Sequence, residues 1–358
     1  MKYEVKIVKT AKSRLGSVDF DNLIFGRTMS DHMFMADYID GQWTNLQIVP
    51  FGPIPMAPSM MALHYGQSIF EGMKATKDKD GTPLLFRPEM HAHRLNASAR
   101  RMCMPELPAD LFLESLHLLV GMDADWIPPK EGSALYLRPF MFATDEFLGV
   151  RPSNTYKYVV ITSPVGPYYA KPVRLHVETE YVRAVKGGVG EAKVAGNYAA
   201  SLLPAKLAQA KGFDQVMWMD ANKFKEIQEV GTMNLFFVIG DKVVTPATDG
   251  AILKGITRDT FITLLRDRGV EVEERVITIT EIVAAHRKGL LKEVFGAGTA
   301  AVSAPVSEFS YKDKLYKLPE PGPQSLGNQL KSAINGIRVG TVADKHNWLV
   351  PVQVPATV

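Results

Sequence analysis

Between Val185 and Ser201 the chain reads Val185-Lys-Gly-Gly-Val-Gly-Glu-Ala-Lys-Val-Ala-Gly-Asn-Tyr-Ala-Ala-Ser201, with four glycines and a run of alanines around Lys193. This stretch demands a fold with room beside that lysine for something large and flat. It also strips away most of the polar side chains that could solvate the ammonium. A lysine kept dry loses the pKa of about 10.4 it has in water and becomes a nucleophile. That is the requirement of a Schiff-base lysine. Further on, Gln228-Glu-Val-Gly-Thr-Met-Asn234 sets an acid, Glu229, in a small-residue turn.

At 358 residues the chain is long for one average domain and suits two. Its 46% hydrophobic and 22% charged residues are those of an ordinary globular protein. A net charge of +3, with no run of five or six like charges, points to no nucleic-acid or membrane partner. The single cysteine, Cys103, excludes an internal disulfide and fits a reducing compartment. Met1 to Lys9 alternates charged and apolar residues and lacks the apolar core of a signal peptide. No apolar run approaches the roughly twenty residues of a membrane span. A cytoplasmic protein is expected.

The hydrophobic patterning predicts strands at Gly41-Gln-Trp, 83–86, 134–142 and 156–162, with helices over 89–102 and 109–123. Pro164 to Pro172 contains three prolines and a glycine, and is read as a connection between domains. Beyond it, helices are expected over 199–211 and 257–268. A third opens on the capping-box spelling Thr278-Ile-Thr-Glu281. Strands are expected at 215–219, 235–239, 242–245 and 293–295, with Ile239-Gly-Asp-Lys242 as a hairpin turn. The class is mixed α/β (α+β) with largely antiparallel or mixed sheets.

A bound phosphate wants backbone N–H groups at a helix N-terminus and an arginine. Gly255-Ile-Thr-Arg-Asp259 opens a helix after a glycine, so the N–H groups of Ile256 and Thr257 point outward. Gly296-Ala-Gly-Thr-Ala-Ala301 follows a strand and offers a second cluster of donors around Thr299. Arg94 supplies a guanidinium. Each feature alone is commonplace, since most helical arginines simply face water. The segment 296–301 also matches a relaxed dinucleotide fingerprint, but Pro305 comes too soon for the helix that motif needs. Lys193 follows alanine and precedes valine, so its loop is no Walker A motif. His91 and His93 stand at no common zinc spacing and are read as surface or packing residues. No metal site is expected. Asn96-Ala-Ser98 spells a glycosylation sequon inside a helix. The segments around Lys193 and Glu229 together suggest a pyridoxal phosphate enzyme.

Eight ordered stretches resemble the branched-chain aminotransferases, fold-type IV pyridoxal phosphate enzymes. They are Phe25-Gly-Arg-Thr-Met-Ser-Asp-His-Met33, Leu63-His-Tyr-Gly-Gln-Ser-Ile-Phe-Glu-Gly-Met-Lys-Ala75, Leu85-Phe-Arg-Pro88, Leu135-Tyr-Leu-Arg-Pro139, Gly190-Glu-Ala-Lys-Val-Ala-Gly-Asn-Tyr198, Glu229-Val-Gly-Thr-Met-Asn234, Ile252-Leu-Lys-Gly-Ile-Thr-Arg258 and Glu293-Val-Phe-Gly-Ala-Gly-Thr-Ala300. The resemblance implies a small N-terminal α/β domain over 1–165 and a connection over 166–176. A larger mixed-sheet pseudo-barrel domain over 177–358 follows, with pyridoxal 5′-phosphate at the domain interface. It implies that Lys193 binds the cofactor and shuttles the proton between the substrate α-carbon and C4′. Glu229 would pair with the pyridine nitrogen and Tyr198 with the phenolic oxygen. Arg94, Ile256, Thr257 and Thr299 would hold the phosphate.

By the same resemblance, Phe25, Phe70, Tyr136 and Tyr168 surround an aliphatic side chain, and Thr232 and Ala300 also line the substrate site. Arg138, with the hydroxyls of Tyr136 and Tyr65, would receive the distal carboxylate of glutamate. Tyr65, Leu148 and Val150 would enter the pocket from a neighbouring subunit of a homodimer. The implied reaction moves the amino group of L-leucine, L-isoleucine or L-valine to 2-oxoglutarate, reversibly and by a ping-pong route. The alternatives are another fold-type IV activity, D-amino acid transamination or aminodeoxychorismate lysis, and a nicotinamide-dependent dehydrogenase built on Gly296-x-Gly298. Two departures stand out. Lys254 replaces the proline usual before Gly255 and is expected to loosen that turn. Ala301 and Ala304 stand where some members carry a Cys-x-x-Cys pair, so no thiol switch is expected there.

Overall fold

The computed structural model describes residues 2–167 and 171–353. It divides into two compact units. The first comprises Met1–Tyr168, Ala192–Ala195 and Asn335–Val358; the second comprises Tyr169–Glu191 and Gly196–Ile334. The division differs from the sequence reading at two places. The four residues that include Lys193, and the chain's last two dozen, belong to the first unit.

The first unit is built on a nine-stranded sheet. Its strands are β1 (Lys6–Ile7), β2 (His32–Ile39), β3 (Gln42–Pro50), β4 (Ser68–Phe70), β5 (Met73–Lys77), β6 (Pro83–Phe86), β7 (Ala134–Ala143) and β8 (Tyr156–Val165), with Leu349–Pro351 at the far edge. The spatial order is β1-β3-β2-β8-β7-β5-β6, then Leu349–Pro351, and β4 pairs with β7. All pairings except β1 with β3 are antiparallel. Gly41, expected in a strand, lies instead in the β2–β3 turn. Asp40 and Gly41 both have positive φ, 51° and 79°, as a two-residue turn matched to the strand twist requires.

A short helix α1 (Met61–Tyr65) precedes β4, and two longer helices, α2 (Pro88–Arg101) and α3 (Ala109–Met122), pack together. Pro88 at the first turn of α2 starts that helix in the way a fixed φ favours. The buried face of α2 carries His91, Ala92, Leu95, Ser98 and Ala99. Steps of three to four residues link His91, Leu95 and Ser98, so all three share the stripe that faces inward. Asn96 is not available as a sequon, because its amide donates to and accepts from the backbone of Leu107.

The second unit carries β9 (Val173–Val177), β10 (Gln215–Met219), β11 (Ile227–Val230), β12 (Met233–Ile239), β13 (Lys242–Pro246), β14 (Val272–Arg275), β15 (Leu291–Gly298), β16 (Val302–Tyr311) and β17 (Lys314–Lys317). The order β11-β10-β9-β16-β15-β12 closes on itself, since β11 also pairs with β12. Six strands thus form a barrel of mixed direction, with β9 parallel to both its neighbours. Closure leaves those strands without open edges. β9 shortens the connection expected over 166–176, because Val173, Leu175 and Val177 alternate into the core.

The helices here are α4 (Ala195–Ala200), α5 (Leu202–Ala210), α6 (Ile256–Asp267), α7 (Ile279–Arg287) and the greater part of α8 (Leu326–Arg338). Alternate residues Met233, Leu235 and Phe237 of β12 share one core with Ile279, Ile282 and Val283 of α7. On the other face, Phe236 stacks on Phe295 at 5.3 Å and meets Phe261 of α6 at 5.9 Å. Thr278 caps α7 by accepting the Glu281 N–H at 3.2 Å. The Glu281 carboxylate turns to Arg275 instead of completing the capping box. Ile239 pairs with Lys242 across the expected hairpin turn, with Gly240 at φ 60°. The segment 296–301 runs from β15 through a turn into β16, so no helix follows it as a dinucleotide site would need. Among the described residues no helix is long and apolar enough to cross a membrane.

Candidate active site

In the first unit Lys193 is fixed through its backbone. Its N–H donates to Ser98 Oγ at 2.9 Å, and its carbonyl accepts the Phe70 N–H at 3.0 Å. Val194 forms a β-bridge with Ile69. The side chain then lies over an aromatic face, with Nζ 4.8 Å from the Phe70 ring centroid. Lys193 is half-buried.

Phe70 has a second cation on it. The Arg138 guanidinium lies 4.7 Å from the same ring and 5.4 Å from that of Tyr136. Arg138 Nη2 donates to the Tyr136 hydroxyl at 3.2 Å, while its Nε is buried without a hydrogen-bond partner. Phe25 meets Tyr136 edge-on at 5.0 Å. The Tyr136 hydroxyl occupies the space that a Cβ on Gly72 would fill, 2.0 Å from it. Only glycine at 72 allows that ring position.

Beside Phe70, Glu71 is buried and gathers Arg94 and His91. Arg94 Nε donates to Glu71 Oε1 at 2.7 Å and Nη2 to Oε2 at 2.8 Å; His91 Nδ1 lies 2.7 Å from Oε2. Burial alone would raise the Glu71 pKa, but Arg94 and His91 outweigh it and hold the carboxyl well below the usual range. Burial pushes His91 down, helped by Arg94 and Lys193 and opposed by Glu71, so the imidazole is neutral at neutral pH. Spacing alone gives His91 and His93 the same standing. The structure separates them, with His93 exposed and His91 buried on a carboxylate.

Tyr65, Leu148 and Val150 are exposed on this unit, and the Tyr65 hydroxyl donates to the Leu148 carbonyl at 2.7 Å. Tyr168 lies outside the described residues.

In the second unit the remaining candidates except Tyr198 gather at one end of the sheet. The β11–β12 and β15–β16 turns are side by side, because Asn234 pairs with Ala297. They carry Thr232 and Thr299–Ala300 respectively. Glu229, on β11, is buried; its Oε1 accepts the Leu253 N–H at 2.6 Å and lies 3.5 Å from Arg183 Nη2. Asn234 donates to the Leu253 carbonyl at 2.9 Å. These two side chains pin the strand-like approach to α6. Gly255, the next residue but one, has no space for a Cβ, which would meet Asn234 Oδ1 at 2.0 Å.

Gly255 is extended at the N-cap of α6 and brings no capping side chain of its own. The N–H groups of Ile256 and Thr257 therefore begin a helix without a cap from Gly255, which suits a phosphate. Lys254 is exposed, 4.0 Å from Glu191, and the N-cap geometry holds without proline. Tyr198 lies half-buried in α4. Arg183 escaped the sequence reading, since nothing local marks an arginine in the loop before Lys193 as the partner of Glu229. Val302, just past the Thr299–Ala300 turn, has φ 62°, which is costly for a β-branched residue.

Residues 68–309 match the family model of class IV amino-transferases, and the chain belongs to that family. It is 47% identical over 352 residues to branched-chain-amino-acid aminotransferase 2 of Bacillus subtilis (strain 168), an alignment spanning 97% of this chain and 96% of the relative. The branched-chain amino acid aminotransferase of Escherichia coli superimposes with a TM-score of 0.75 at 27% identity, over 90% of this chain and 99% of that one. The branched-chain amino acid aminotransferase of T.th., complexed with N-(5′-phosphopyridoxyl)-L-glutamate, gives 0.72 at 26%, over 89% and 98%. Within class IV, this chain is a member of the branched-chain aminotransferases.

Proposed function

We propose that the chain transfers the amino group of L-leucine, L-isoleucine or L-valine to 2-oxoglutarate, and back, with pyridoxal 5′-phosphate as its cofactor. One observation carries the reading: Lys193 Nζ and the Arg138 guanidinium share the Phe70 ring. An amine for proton transfer and a cation for a second carboxylate, set around an apolar ring, suit a site that takes both a branched side chain and glutamate. When bound, pyridoxal phosphate supplies an aldehyde to accept the amino group and an electron-poor ring to take up negative charge.

The first turn of α6, begun on Gly255 without a capping side chain, fits the phosphate of that group. The N–H groups of Ile256 and Thr257, with Arg94 and Thr299, would hold its phosphate; Glu229 would face the ring nitrogen and Tyr198 the phenolic oxygen. Lys193 Nζ takes the proton from the substrate α-carbon. The N–H groups at Thr299 and Ala300 bind the α-carboxylate, beside Thr232. Phe25, Phe70 and Tyr136 exclude water around the aliphatic side chain. Arg138, with Tyr136, receives the distal carboxylate of glutamate. The exposed Tyr65, Leu148 and Val150 would complete the site of a neighbouring copy, making the enzyme a homodimer, and its setting is the cytoplasm.

The test is an absorption spectrum of the purified protein before and after L-leucine, without oxo acid. A visible band should collapse with L-leucine and return with 2-oxoglutarate. A band indifferent to L-leucine but responsive to a D-amino acid would overturn the substrate class. Absence of any band after incubation with pyridoxal phosphate would overturn the role of Lys193.

A further inference from the structure

We propose that Glu71, supported by His91, is the positioning residue that sets the Arg94 guanidinium for the cofactor phosphate. This rests on the reading of Arg94 as a phosphate ligand.

A guanidinium carries five N–H donors in a plane. Glu71 takes two of them, Nε–H and one on Nη2, at 2.7 and 2.8 Å. Two parallel bonds to one carboxylate fix both the position and the plane of the group. With its position and plane so fixed, the guanidinium loses little side-chain freedom when an anion binds it.

The carboxylate does not simply cancel the arginine. Glu71 Oε2 also lies 2.7 Å from His91 Nδ1 and accepts the Gly72 N–H at 3.2 Å. These are neutral donors, because burial keeps His91 uncharged. They share the carboxylate's negative charge, so that the field of Arg94 is retained on its far side. His91 and Arg94 are three apart on α2 and so present one face to the same carboxylate. Glu71 also follows Phe70, whose N–H holds the Lys193 carbonyl at 3.0 Å. Adjacent residues thus locate both the amine and the guanidinium.

The full-length chain, stripped of cofactor, is titrated with pyridoxal 5′-phosphate and separately with unphosphorylated pyridoxal. Arg94→Met should weaken the phosphorylated ligand ~tenfold or more and pyridoxal less than ~twofold. Glu71→Gln should reproduce most of that selective loss, and Glu71→Gln in the Arg94→Met background should add less than ~twofold, since one residue acts through the other. His91→Gln keeps the ion pair and should give a smaller selective loss, ~threefold. Glu71→Gln with unchanged affinity for the phosphorylated ligand, or with equal losses for both ligands, overturns the inference and leaves the Arg94 reading standing. Arg94→Met without selective loss overturns both. Should Glu71→Gln not fold, His91→Gln decides: a selective loss supports the inference, and an equal loss or none overturns it.

Discussion

Replacing Arg138 by methionine separates the two substrates of the proposed reaction. Methionine keeps the length and apolar stem of arginine and removes the charge. Part of the cost falls on both substrates. The guanidinium lies on the rings of Phe70 and Tyr136, at 4.7 and 5.4 Å. Such contacts are worth about 0.5–1 kcal/mol each. Relaxation of the rings would then lower kcat/KM about fivefold for any amino acid, taking ~1 kcal/mol as the loss that reaches the pocket.

The other part falls on glutamate alone. Its distal carboxylate gains charge-assisted hydrogen bonds from Arg138, worth about 1.5–3 kcal/mol, or ~10- to 150-fold. kcat/KM should therefore fall ~fivefold for L-leucine and ~50- to 750-fold for L-glutamate. Single-turnover absorbance changes, with one amino acid at a time, measure each half-reaction by itself. Equal losses for the two amino acids would refute the role of Arg138.

Lys193→Ala should abolish turnover while the protein still folds and binds free pyridoxal phosphate weakly; wild-type-like rates would sink the assignment. Ser98→Ala removes the hydroxyl that accepts the Lys193 N–H, a cost of about 1–2 kcal/mol, and kcat should fall ~tenfold with recovery in Ser98→Thr; an unchanged kcat contradicts the positioning. Thr278→Ala removes the α7 cap and should cost about 1 kcal/mol in denaturant unfolding with kcat unaffected; no change in stability counts against the cap. Glu71 has its pKa depressed on folding, so its stabilisation is present above the unfolded carboxyl's value of about 4.3 and is lost as pH falls below it. Wild type should lose more stability than Glu71→Gln below pH ~4.3, and parallel acid-unfolding curves would refute the pairing.

What could be read from the sequence was local. The Thr278 cap, the 239–242 turn and the strand 83–86 each depend on a few neighbouring residues, and each stands where the pattern put it. The ring cluster around Phe70 joins residues 25, 70, 136, 138 and 193, and only the resemblance to a family could associate them. The Glu71–His91–Arg94 group was hidden for another reason. Glu71 falls in a stretch to which the pattern assigns no element, and the spacing from His91 to Arg94 reads equally well as a solvated helix face. The one available signal was Ser98, whose position on the same stripe as Leu95 and Ala99 marks α2 as a helix that buries polar residues. Arg183 carried no signal at all, because its partner Glu229 lies on a distant strand.

Among the glycines near Lys193 in sequence, Gly190 is required by packing. Gly190 lies where a Cβ would meet the Ala251 carbonyl oxygen at 2.3 Å and the Ala184 methyl at 2.4 Å, so its smallness belongs to the packing of the second unit. A Cβ on Gly196, by contrast, would meet only open space. The lysine itself belongs to the first unit, held by Ser98 Oγ, by the Phe70 N–H and by the bridge from Val194 to Ile69. Its ammonium lies over the aromatic face of Phe70. A nucleophile held at three backbone points has its position set before any ligand arrives, which lowers the entropic cost of bringing it to the reacting carbon. Small residues alone could not do this, since they make space without fixing what stands in it.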